Sequence, residues 1–218
     1  MRFMTKIKIC GITRLQDALE ASRAGVDCLG FNFSSISPRM IDPEVAKKII
    51  EKLPPFIQCA GIFVDHSPAD INAICRFCKL DVAQLHNEHY SAKDARSIAN
   101  AKVIKVYRPQ EDFAVAEVLD FAKESGITTF LFDAYQAEMP GGTGQRIKVS
   151  LASRIFNELD SSCFGILAGG LNNSNVGDAI RNTHPYAVDT ASGVESSPGI
   201  KDFVKIKTFI NAVHESRE

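Results

Sequence analysis

Short β-branched and apolar runs alternate along the chain with longer stretches in which apolar positions recur every three or four residues. The first kind predicts buried strands and the second amphipathic helices. Strands are expected at 6–10, 28–33, 58–64, 82–86, 102–107, 129–133, 163–168 and 187–190. Helices are expected at 15–24, 43–53, 68–79, after Ser91, and at 113–124, 150–159, 175–182 and 201–214. Thr13 with Gln16 three residues on reads as a capping box for the first helix. Asp42-Pro43, Ser67-Pro68 and Ser91 read as the next three starts. Eight strand–helix pairs in a row, with no linker or low-complexity segment between them, predict a parallel sheet with right-handed crossovers. Eight such units close into an α/β fold of the (β/α)8 TIM-barrel type, expected as a single domain over residues 1–218. The alternative, a doubly wound open sheet, should carry a glycine-rich dinucleotide fingerprint after its first strand. Gly11-Ile12-Thr13-Arg14-Leu15 is not one.

Composition narrows the setting. Hydrophobic content of 45%, charged content of 23% and a net charge of −1 fit a globular protein and give no pull toward nucleic acid or an anionic membrane surface. No apolar run approaches the ~20 residues of a membrane helix, and Met1-Arg2-Phe3-Met4-Thr5-Lys6 lacks a secretory core. A cytoplasmic protein is expected. The cysteines 10, 28, 59, 75, 78 and 163 are scattered and read as reduced thiols. Cys75-Arg76-Phe77-Cys78 lacks the second pair that would close a metal site, so no metal is expected.

Chemistry gathers where strands end, the end of a barrel that carries active sites. Cys10, Asn32, Asp65, Gln84 with His86, Tyr107, Asp133, Gly169-Gly170 and Asp189 all fall there. Cys10 ends the first strand just before a helix N-terminus, a position that favours thiolate; the alternative is a small buried hydrophobe. Glycines follow the last three barrel strands, at Gly141-Gly142-Thr143-Gly144, Gly169-Gly170 and Ser192-Gly193. Exposed N–H groups at such turns make an anion cradle, and loops after strands seven and eight are the usual phosphate site of the fold. Lys8 shares strand parity with Cys10 and should point into the barrel, where a buried ammonium needs a partner. Asp189 on the neighbouring strand is the expected one. Glu195 reads as a surface loop residue.

The segments Lys8-Ile9-Cys10-Gly11-Ile12-Thr13, Gly30-Phe31-Asn32-Phe33, Ser37-Pro38-Arg39, Gln84-Leu85-His86, Leu131-Phe132-Asp133, Gly141-Gly142-Thr143-Gly144, Ala168-Gly169-Gly170-Leu171 and 188–195 occur in that order. Together they resemble the phosphoribosylanthranilate isomerase family of tryptophan biosynthesis. The resemblance implies an enzyme, an aldose–ketose isomerase that performs a cofactor-free Amadori rearrangement of N-(5-phosphoribosyl)anthranilate to 1-(2-carboxyphenylamino)-1-deoxyribulose 5-phosphate. By motif, Asp133 is its general acid and Cys10 its general base, and Arg39 meets the anthranilate carboxylate. Gln84, His86 and Asp189 are expected at the substrate, with a structural hydrogen-bonding role open for His86. Gly142, Gly144, Gly169, Gly170, Ser192 and Gly193 are expected at the phosphate. The chain departs from the family pattern at Met40, Asn87 and Gln145-Arg146-Ile147-Lys148-Val149.

The implied chemistry requires an Asp133 carboxyl raised from ~3.9 by apolar neighbours such as Leu131, Phe132, Ala134 and Tyr135, and a Cys10 thiol lowered from ~8.5 toward neutrality. The expected partner is a small phosphoribosyl substrate, with no nucleic acid, no membrane and no cofactor, and the chain is expected as a monomer or homodimer. Two other readings remain: another phosphosugar isomerase or epimerase barrel, and a catalytically silent barrel that only binds.

Overall fold

The computed structural model describes residues 4–134 and 147–216. Eight parallel strands close into a barrel in chain order: β1 (Lys6–Ile9), β2 (Cys28–Asn32), β3 (Gln58–Phe63), β4 (Val82–Leu85), β5 (Lys102–Tyr107), β6 (Thr129–Phe132), β7 (Phe164–Leu167) and β8 (Ala187–Thr190). Helices α1 (Leu15–Ala24), α2 (Pro43–Ile50), α3 (Pro68–Cys78), α4 (Ala92–Arg96), α5 (Val115–Ser125), α6 (Val149–Glu158), α7 (Val176–Thr183) and α8 (Phe203–Glu215) follow them in turn. The (β/α)8 expectation is met. No described helix is long and apolar enough to cross a membrane.

Strand alternation divides the core into two layers. Ala60, Val82, Ile104, Leu131, Ile166 and Ala187 fill the barrel. Residues of the opposite parity, such as Ile7, Leu29, Phe31 and Val188, pack under the helices. Inward positions turn polar toward the carboxyl end: Lys8, Gln84 and Asp189 are all nearly inaccessible there. Lys8 stands directly across from Asp189 in the β1–β8 register, where the barrel closes.

Three of the four helix starts are as expected. Asp42 accepts from the Glu44 N–H (2.8 Å), Ser67 accepts from Asp70, and Ser91 forms a capping box with Asp94. The first is not. Arg14 occupies the N-cap of α1 without a side-chain capping bond, and the Thr13 hydroxyl donates instead to the Gly199 carbonyl at 2.5 Å. The competitor is an unforeseen antiparallel hairpin, β9 (Glu195–Ser197) and β10 (Ile200–Lys201), which lies between β8 and α8. Asp17 in α1 is fully buried, is gripped by Arg14, and accepts from the Lys201 N–H at 3.1 Å. The hairpin also moves the start of α8 from the expected 201 to Phe203, where Asp202 caps it through Val204 and Lys205.

Candidate active site

A cleft opens at the carboxyl ends of the strands. Cys10, Arg39, Gln84, His86, Asp133 and Asp189 all line it, as do Gly169, Gly170 and Ser192. Asn32, also at a strand exit, joins them, whereas Tyr107 turns outward against Phe113 and Phe132. Gly193 sits behind Ser192, against the Leu171 carbonyl, and does not line the cleft. Gly142, Gly144 and Tyr135 lie outside the described residues.

Asp133 follows β6, held by its N–H to the Tyr107 carbonyl at 2.9 Å. One carboxyl oxygen accepts from the Ala134 N–H, and the other lies 3.6 Å from His86 Nε2. Burial raises the Asp133 pKa to about 6, with Asp189 adding to the shift. That is the expected direction. Burial lowers His86 to about 3, and Arg108, Lys8 and Lys105 push the same way, so the imidazole is neutral. The Gln84 amide meets Nδ1 at 3.2 Å. An amide nitrogen only donates, so Nδ1 of the neutral ring is the acceptor in this contact and the ring proton sits on Nε2, facing Asp133. Two buried oxygens on the cleft wall, Gln84 Oε1 and Ser34 Oγ, have no hydrogen-bond partner among the described residues.

Cys10 follows β1, its N–H bonded to the Thr190 carbonyl at 2.8 Å. Beneath it, Lys8 Nζ meets Asp189 at 3.0 Å with both side chains almost wholly buried, the pairing expected from strand parity. Burial is the largest single effect and opposes the Lys8 charge, but Asp189, Cys10 and Cys28 together outweigh it and the Lys8 pKa rises. Lys8 and Lys201 favour the thiolate of Cys10, yet burial dominates and Asp189 works against it, so the thiol lies above its ordinary value. The expectation of a thiol lowered toward neutrality is therefore corrected. Loss of hydration around sulfur outweighs the nearby cations.

Arg39 makes a bidentate pair with Glu195, Nε to Oε1 at 2.9 Å and Nη2 to Oε2 at 2.7 Å. Glu195 is only 6% exposed, which corrects its reading as a surface residue. Burial opposes its charge, but Arg39 and Lys201 together hold it below the usual carboxylate range. Gly11 (φ +78°) lets the chain pass under Arg39, since a Cβ there would lie 2.4 Å from Arg39 Cδ. Across the cleft, Gly169 and Gly170 both adopt left-handed φ (+85° and +63°) ahead of α7. Asn175 steadies that loop, donating to the Gly170 carbonyl and accepting from the Asn172 N–H.

The family model for N-(5'-phosphoribosyl)anthranilate isomerase matches residues 7–212. The chain belongs to this family. It is 70% identical to the N-(5'-phosphoribosyl)anthranilate isomerase of Pelodictyon phaeoclathratiforme, over 98% of this chain and 99% of that one. It superposes on the crystal structure of the Thermotoga maritima phosphoribosylanthranilate isomerase with a TM-score of 0.87 at 35% identity, covering 97% of this chain and 100% of that one. A phosphoribosylanthranilate isomerase solved with reduced 1-(o-carboxyphenylamino)-1-deoxyribulose 5-phosphate matches at TM-score 0.84 and 34% identity, covering 97% and 100%.

Within this family frame, sequence reasoning missed Glu195 and Lys201. The signal was present: an acid and a base flank Pro198-Gly199, a turn-forming pair that brings residues on either side together. In the fold Lys201 Nζ reaches Glu195 Oε1 at 2.8 Å.

Proposed function

We propose that this chain converts N-(5-phosphoribosyl)anthranilate to 1-(2-carboxyphenylamino)-1-deoxyribulose 5-phosphate in tryptophan biosynthesis, with Asp133 as general acid and Cys10 as general base. Family membership supports the reaction. The observation that carries the roles is that the Asp133 carboxyl and the Cys10 thiol open into one cleft. Asp133 gives its proton to the ribose ring oxygen as the C1–O bond breaks, which leaves a Schiff base on the anthranilate nitrogen. The Cys10 thiolate then takes the proton from C2, and the electrons of that C–H bond move to form the enolamine. Tautomerisation to the ketone completes the exchange, C2 being oxidised and C1 reduced within one molecule. His86, neutral and with Nε2–H toward Asp133, stabilises the carboxylate left after its proton departs.

The Gly169–Gly170 turn and Ser192 support a phosphate position, where N–H groups at a helix entrance meet an anion. Arg39 faces the anthranilate carboxylate as a fork already oriented by Glu195. The unpartnered oxygens of Gln84 and Ser34 suit hydroxyls of the sugar.

Steady-state turnover of freshly made phosphoribosylanthranilate tests the roles. Cys10→Ala and Asp133→Asn are each expected to lower kcat by ~10²–10⁴, the range of general acid–base catalysis. Turnover near that of the wild type in either variant removes that residue from the mechanism.

A further inference from the structure

We infer that Lys201 and Glu195 are positioning residues of the isomerase site: one buried ammonium sets the Cys10 backbone and, through Glu195, the Arg39 fork. The inference deepens the reading of Cys10 as base and rests on it. Lys201 belongs to β10, outside the barrel strands, yet its side chain is completely inaccessible to solvent. Nζ donates to the Cys10 carbonyl at 2.6 Å, to the Ala191 carbonyl at 3.2 Å and to Glu195 Oε1 at 2.8 Å. Three donors meet three acceptors, so the ammonium is satisfied. Each acceptor belongs to a different working part of the cleft. Cys10 carries the thiol, Ala191 leads into the 3-10 turn Ser192–Val194, and Glu195 grips Arg39.

A purely structural tie across the β1–β8 seam would not need a charge here. A buried ammonium is costly unless paired, and burial lowers the pKa of Lys201 despite Glu195. Two consequences for chemistry follow from keeping it. Arg39 and Lys201 share the single carboxylate of Glu195, so the trio retains one net positive charge beside the cleft, the complement of one substrate carboxylate. Lys201 also adds to Lys8 as a cation favouring the thiolate of Cys10. The charged and titratable groups around that thiol are Lys8 and Asp189 beneath it, Cys28 on β2, Arg39 over Gly11 and Lys201 from the hairpin.

The pH profile separates this role from mere support. Productive free enzyme has Asp133 protonated and Cys10 ionised. With the carboxyl titrating near 6 and the thiol far above it, that form is a small fraction, constant between the two pKa values. Each unit added to the thiol pKa lowers this plateau about tenfold, while above the thiol pKa the difference disappears. The test compares kcat/KM against pH for wild type and Lys201→Met, together with the pH dependence of Cys10 alkylation by iodoacetamide, followed on the Cys10 peptide. Lys201→Met is expected to lose about tenfold on the plateau, to shift Cys10 alkylation to higher pH, and to approach wild type at alkaline pH. Glu195→Gln is expected to raise KM more than it lowers kcat, because Arg39 is released.

An unshifted alkylation profile in Lys201→Met, or a loss that stays constant into the alkaline range, overturns the positioning of Cys10. An unchanged KM in Glu195→Gln overturns the positioning of Arg39, and decides alone if Lys201→Met does not fold. Wild-type turnover in Cys10→Ser would instead remove the base assignment itself. That result is separable, because alkylation of Cys10 in Lys201→Met is read without turnover.

Discussion

Around β1 and β8 the cleft is walled by buried, paired charges: Lys8 with Asp189, and Arg39 and Lys201 with Glu195. Around β4 and β6 the groups that touch are Gln84, a neutral His86 and Asp133. The two walls share a degree of burial but differ in what burial must accomplish. Taking a carboxyl or a thiol out of water raises the pKa of either one. For Asp133, the proposed acid, that is an advantage: Asp189 adds to the upward shift, and Arg108 and Lys8 offset only part of it. For Cys10, the proposed base, it is a handicap, and Lys8 and Lys201 on its side offset part of it. The proposed acid and base thus differ less in burial than in how strongly ammonium groups act on them: Lys8 ranks directly after burial for Cys10, with Lys201 added, and last for Asp133.

Removing charge from the charged wall should cost most. Lys8→Met leaves Asp189 buried and unpaired, and is expected to lose ~3–5 kcal/mol of stability in urea denaturation. The double variant Lys8→Met with Asp189→Leu should recover much of that loss. A loss below about 1 kcal/mol in the single variant would mean that the two walls do not differ in this way.

Next in size is a gain on the other wall. A carboxyl whose folded pKa is raised from 3.8 to about 6 holds its proton while the unfolded chain releases its own, so it destabilises the fold as pH rises from about 4 to 6 and fully above that. Asp133→Asn removes this cost. It is expected to stabilise the protein by up to about 3 kcal/mol at pH 8 and by nothing near pH 3. Equal stability of the two proteins at both pH values would show that burial does not hold the proton on Asp133. The smallest effect is expected from Gln84→Leu, which strips His86 of a neutral partner. About 1–3 kcal/mol should be lost, with no strong pH dependence above pH 4 because the imidazole is already uncharged.

The barrel was legible because its two periodicities are local. Strand limits at Lys102–Tyr107 and Ala187–Thr190, and the caps at Asp42, Ser67 and Ser91, follow from residues adjacent in sequence. Lys8 facing Asp189 was legible for a similar reason, since strand parity and the closure of β1 on β8 fix that contact once the fold is assumed. Thr13 was misread because the local capping option lost to a bond with Gly199, 186 residues away. Glu195 was misread because charged residues in loops are usually solvated. Nothing near it in sequence announces that Arg39, from a different crossover, will be its partner.

By itself the sequence determined the alternation of strands and helices, the barrel that this alternation closes, and the placing of Cys10, Gln84, Asp133 and Asp189 at inward positions near strand ends. Periodicity and chain order suffice for these, because they depend on neighbours along the chain. Only the tertiary structure decided the protonation balance of the site and the clamp of Lys201, Glu195 and Arg39. Solvent exclusion and charge pairing depend on which distant segments meet, and the hairpin that brings them together acts through space across the barrel seam.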